Sequence, residues 1–314
     1  TDLNSPDIGA SFVIFGKASG FDAQVDLSTL NGSNGFRLDQ AETRSYSGVS
    51  VSGAGDINGD GFADLIVGDS KAGSTSHQTG SSYIVFGKAS GFDAQLDLSS
   101  LNGSNGFRLD GAALYDYSGF SVSNAGDVNG DGFDDVIVGS PYADFNGDQS
   151  GSSYVIFGKA SGFDALLDLS SLNGSNGFRL DGEQIYDRSG QSVSSAGDVN
   201  GDGFADVIVG AHLTNPNGQF SGSSYVVFGK ASGFDAQIDL SSLNGQNGFR
   251  LDGEDAFEHA GVSVSGAGDI NGDGVDDLIV GAFWADTYTS LSGSSYVVFG
   301  KKSEFDAQID LSSI

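Results

Sequence analysis

Apolar and polar residues alternate along this chain in short runs, each stopped by Gly, Asn, Asp or Ser. Period-two alternation with turn residues between the runs predicts strands and tight turns, with no long helix. Residues 118 to 188 show the pattern in full. "SGFSVSNAGD" opens with Phe120 and Val122 alternating with polar and small residues, and an acidic loop follows. "DDVIVGSP" (134 to 141) is a continuous apolar run of the kind buried on both faces of a sheet. A Gly- and Ser-rich connection leads to "SSYVIFGK" (152 to 159), and a longer link with the turn "NGSNG" leads to "GFRLDG" (177 to 182).

The pattern repeats. FGK recurs with its Phe at Phe15, Phe86, Phe157, Phe228 and Phe299, 71 residues apart each time. Self-similarity at a fixed period fixes the architecture before any other signal. Four short strands per period predict an all-β chain, a β-propeller of four to five four-stranded blades with the acidic loop between the first and second strands. Residues 1–314 are read as a single array of this kind. An open array, or a piece of a longer one, fits the same count. Two sets of stretches differ between copies: 39 to 46, 110 to 117, 181 to 188 and 252 to 259, and 69 to 80, 140 to 151, 211 to 222 and 282 to 293. Loops freed from packing are where recognition usually sits, and drift produces the same variation.

Charge narrows the partners. Forty-two acidic against thirteen basic side chains give a formal charge of −29, which repels phosphate backbones and anionic membranes and so argues against nucleic acid. No apolar run is long enough to insert in a membrane as a helix. Without cysteine there is neither a disulfide framework nor a thiolate metal site. The chain begins at Thr1 and contains no methionine, which fits a mature or partial product and a secreted origin.

The acidic loops carry the candidate chemistry. Oxygen donors fall at Asp56, Asn58, Asp60 and Asp64 in the pattern D-x-N-G-D-G-x-x-D, with the backbone carbonyl of Phe62 at position 7. The loop at 127–135 repeats them as Asp127, Asn129, Asp131, Phe133 and Asp135. The loop at 198–206 has Asp198, Asn200, Asp202, Phe204 and Asp206, and that at 269–277 has Asp269, Asn271, Asp273, Val275 and Asp277. Hard carboxylate and carbonyl oxygens in a flexible loop select calcium over softer metals. An EF-hand needs Glu at position 12, where this chain has Val67, Val138, Val209 and Val280. The expected cofactor is therefore about four Ca2+ ions, held in loops closed by the Asp at position 9.

"SGFSVSNAGDVNGDGFDDVIVGSP" resembles the FG-GAP repeat of integrin α-subunit propellers and related bacterial surface proteins, and the likeness covers essentially the whole chain. The resemblance implies a calcium-binding propeller with the four sets above as its cation positions. The Gly-Ala-Pro element departs from the family, reading VGDS at 67 to 70, VGSP at 138 to 141, VGAH at 209 to 212 and VGAF at 280 to 283. Integrin-type propellers close with seven blades, whereas this chain holds four loops.

No catalytic set stands out. His77, His212 and His259 lie in variable stretches and are expected on the surface, with Glu258 and His259 on one strand and facing opposite ways. Phe283, Trp284 and Tyr288 form a candidate aromatic contact for a glycan or protein, with burial against the next blade as the competing account. Asn31, Asn102 and Asn173 each begin Asn-Gly-Ser, an N-glycosylation pattern or a plain turn. The expected function is a non-catalytic, extracellular or cell-surface component, structural or adhesive. The alternative is a carbohydrate- or protein-binding module of a larger secreted protein. The chain opens with the third and fourth strands of a blade and closes with the first three. Two copies of the third strand would compete within one closed ring, so partners are expected to include copies of the chain itself, joined head to tail in a filament.

Overall fold

The computed structural model describes residues 9–18, 20–40, 47–74, 77–231, 233–285 and 292–314. All four expected strands form in each complete repeat. In one sheet they are Ser121–Gly126, Asp135–Ser140, Ser152–Ile156 and Gly177–Asp181, each antiparallel to the next. The second strand is buried along its whole length, as its continuous apolar run requires. Valines at position 12 of the acidic loops sit in these strands at 0–1% exposure. They are core residues, which accounts for the absence of the EF-hand glutamate.

One element was not expected. The link between the third and fourth strands leaves its own sheet and adds a fifth strand to the preceding one. Gln237–Asp239 pairs in parallel with Gly177–Asp181, matching Arg179 with Gln237 and Leu180 with Ile238. A 3-10 turn follows each such strand, capped by its last Asp: Asp168 accepts from the Ser170 backbone and hydroxyl, and Asp239 from those of Ser241. The parallel strand covers an edge that would otherwise be open.

Three five-stranded sheets result, with a three-stranded sheet before them and another after. Ala10–Ile14 and Ser294–Val298, the two copies expected to compete for one place, lie in different sheets. The first strands of successive sheets run beside one another, the inner-strand arrangement of a β-propeller. The core lies between sheets: Val155 and Phe178 of one pack with Val207, Val209 and Tyr225 of the next. Because each sheet is antiparallel over its first four strands, the acidic loops and the FGK links gather at one end. The described parts of the variable stretches lie at the other.

Candidate functional site: four acidic loops at one end of the sheets

Each acidic loop is curled by its own side chains. Asp56 Oδ1 accepts the Asp60 N–H at 3.0 Å and Oδ2 accepts that of Gly61 at 2.8 Å. Asn58 Oδ1 accepts from Asp60, and Asp60 Oδ1 from Phe62, both at 2.9 Å. The same bonds recur around Asp127, Asp198 and Asp269. Gly59 and Gly61, with φ of +70° and +87°, supply the left-handed turns.

Position 9 differs from the rest because it is fully buried. Asp135 Oδ2 accepts the Val128 N–H at 2.9 Å and Oδ1 that of Gly158 at 2.9 Å, and Asp64, Asp206 and Asp277 make the equivalent pair. Burial pushes the Asp64 carboxyl up to about 6, and the nearby Asp60 and Asp56 carboxylates add to the effect. Asp135 and Asp206 rise to about 8, again chiefly by burial. Hydrogen bonds from Gly274 and its neighbours hold the exposed Asp269 below the ordinary carboxylate range.

Among the described residues, no three His, Asp or Glu side chains sit close enough together to form a ready-made metal cage. The carboxylates at positions 1 and 5 accept hydrogen bonds from loop N–H groups. The donor set still fits a hard cation: every candidate side-chain ligand is an oxygen, one carboxylate per loop is desolvated, and no ion pair among the described residues joins a loop carboxylate to a basic side chain. Asp56, Asn58, Asp60 and Asp64, with the Phe62 carbonyl, would hold the ion in the first loop.

The FGK link also belongs to this end of the molecule. Gly158 gives its N–H to Asp135 of one loop while Lys159 gives its own to the Ile57 carbonyl of the preceding loop at 2.9 Å. Gly229 with Lys230, and Gly300 with Lys301, bridge the later loops in the same way. A Cβ on Gly158 would come within 2.4 Å of the Asp134 carbonyl oxygen. The constancy of FGK was the available sequence signal for this role.

At the opposite end, His259 is buried at 6% exposure and Glu258 at 4%, so the expected surface histidine is corrected. Both precede the Ala260–Gly268 strand, and His259 has a φ of +57°, so the alternation of a strand does not apply to them. The His259 ring stacks on Phe220 at 5.6 Å, meets Trp284 edge-on at 4.8 Å and lies 5.7 Å from His212. Phe283 and Trp284 are neighbours, 46% and 43% exposed. Tyr288 lies outside the described residues, as does the side chain of His77. Asn31, Asn102 and Asn173 use Oδ1 to accept from the backbone two residues on. Asn244 makes the same turn with Gln246 in place of serine.

Repeated four-stranded sheets with an acidic loop between the first two strands define a propeller-type repeat protein. Residues 47–85, 118–156, 189–227 and 260–298 match the model of the FG-GAP repeat. The chain belongs to the FG-GAP repeat family. It is 31% identical to integrin alpha-V of Gallus gallus over 248 residues, and equally so to integrin alpha-5 of Xenopus laevis. Each alignment covers 77% of this chain and 20% of the relative. Integrin alpha-IIb of Mus musculus is 34% identical over 186 residues, 57% of this chain and 16% of the relative. The chain thus spans a fifth or less of the length of these relatives.

Proposed function

We propose that this chain is a non-catalytic adhesion-type module of a cell surface or extracellular structure. Calcium held in the four acidic loops stabilises one end of the sheets, and the variable loops at the other end meet the partner. The observation that carries this reading is the division of the molecule: the copied acidic loops lie at one end of the sheets and the described parts of the variable stretches at the other. Clustered carboxylates that repel one another become stabilising when a cation joins them, so calcium contributes folding energy. Excess chelator is expected to lower the melting temperature by many degrees, reversibly on adding calcium. An identical melting curve in calcium and in chelator would sink the idea. Head-to-tail joining of copies through the two three-stranded sheets is part of the proposal. Light scattering on the same samples tests it, and monomers in calcium at every concentration would remove it.

The half-exposed Phe283–Trp284 pair supports a second reading, a carbohydrate-binding module, because sugar rings stack on such faces. A glycan array separates the two readings. Binding to one glycan class that is lost in Trp284→Ala selects the second, and no glycan binding leaves the first.

A further inference from the structure

Position 8 of the acidic loop alternates along the chain, with Ala63, Asp134, Ala205 and Asp276 in turn. The structure gives the alternation a physical meaning. Asp134 reaches back to the preceding loop, where its Oδ2 accepts the N–H of Asp56 at 2.8 Å. Asp276 does the same for Asp198 at 2.9 Å. Between the second and third loops the place is taken by Ala205, whose Cβ lies against Gly126. A Cβ on Gly55 or Gly197 would strike the Asp134 or Asp276 carboxylate at 2.2 or 2.3 Å, so glycine makes room for the link.

Backbone links are common to all three junctions. Position 8 gives its N–H to the carbonyl at position 1 of the preceding loop, Asp134 to Asp56, Ala205 to Asp127 and Asp276 to Asp198, at 3.3, 3.1 and 3.1 Å. The Gly-Lys amides bridge each junction as described above. Phe133 covers Gly59, and Phe204 covers Gly130, so an aromatic ring at position 7 rests on the loop before it. At the third junction position 7 is Val275, and the Lys302 stem lies against Gly201 instead. The middle junction shares the ring contact with the first and differs from both its neighbours in lacking the carboxylate link.

Accepting the calcium reading of the loops, on which this step rests, we propose that Asp134 and Asp276 are positioning residues that couple the cation loops in two pairs, first with second and third with fourth. Each sits between two loops. It adds negative potential to both and fixes the amide of a position-1 ligand residue in the earlier loop. It also stands next in sequence to the buried position-9 Asp of its own loop. An ion in one loop therefore orders a group that serves the other, which is positive coupling. At the middle junction Ala205 offers backbone contact and no carboxylate, so coupling there is weaker.

Calcium titration calorimetry on the whole chain tests this, with melting in chelator as a control for folding. Asp134→Ala is expected to weaken two of the loops together by about tenfold and to lower the cooperativity of binding, with little change of melting in chelator. The third loop already carries alanine at this position, so the backbone accepts it. Ala205→Asp is expected to create the missing link and raise cooperativity at the middle junction. Ala63→Asp adds the same charge in the first loop of residues 1–314, with no acidic loop before it in these residues to link to, and in this chain is expected not to raise cooperativity. If Asp134→Ala leaves the isotherm unchanged or alters one loop alone, or if Ala205→Asp behaves like Ala63→Asp, the pairing is overturned while the calcium reading stands. No calcium uptake by the unaltered chain overturns both.

Discussion

His212 and His259 show how much a single residue's setting can depend on chain far from it. Burial holds the His212 ring down to about 4, and the neighbouring His259 and Arg188 push in the same direction. His259 is lowered too, chiefly by burial. A histidine kept neutral in the folded state contributes stability above its unfolded value of about 6.5, and that contribution is lost as pH falls toward 4. The expected cost at His212 is on the order of 3 kcal/mol by pH 4. Urea titrations in chelator at pH 7 and pH 4.5 check it, with His212→Gln expected to flatten the difference. Equal pH dependence in the two proteins would remove His212 as the cause. None of this was legible locally, because the rings that bury His259 come from Phe220 and Trp284, in other variable stretches. The curl of the acidic loops follows from spacing within nine positions, which determines which N–H each carboxylate can reach, while the cation they are expected to hold is the proposal.

Elements fared differently according to where their partners lie. Four strands per repeat could be read from alternation because each carries its own apolar pattern and pairs with a neighbour in the same repeat. The fifth, Gln237–Asp239, has three residues and an exposed or half-buried pattern, and its partner belongs to the preceding repeat. Its importance to the sheet can be measured. Proline at Ile238 removes an amide from the parallel ladder and fixes φ, at a cost of about 1 kcal/mol for the lost hydrogen bond. Ile238→Pro is expected to lower the denaturant midpoint and strip hydrogen-exchange protection from Gly177–Asp181, with Asp64–Asp69 retaining theirs. Protection unchanged at Gly177–Asp181 would mean that the antiparallel partner Ser152–Ile156 holds this strand unaided.

For the whole molecule, the period of 71 residues settled the architecture before any single strand was placed, and the opposition of copied and variable ends followed from strand direction. The composition of the sheets did not follow, because the unit of sequence and the unit of structure are out of phase. Every complete sheet contains four strands of its own and one received from the next repeat, and every interior repeat both gives and receives. That bears on how such a gene can change length. A tandem duplication or loss of one whole period, wherever its breakpoints fall, leaves each interior sheet with its borrowed strand, because what is passed back at one junction is supplied at the next. Unequal recombination can therefore lengthen or shorten the array one period at a time without inventing a new interface, while any change by part of a period leaves a sheet short of a strand.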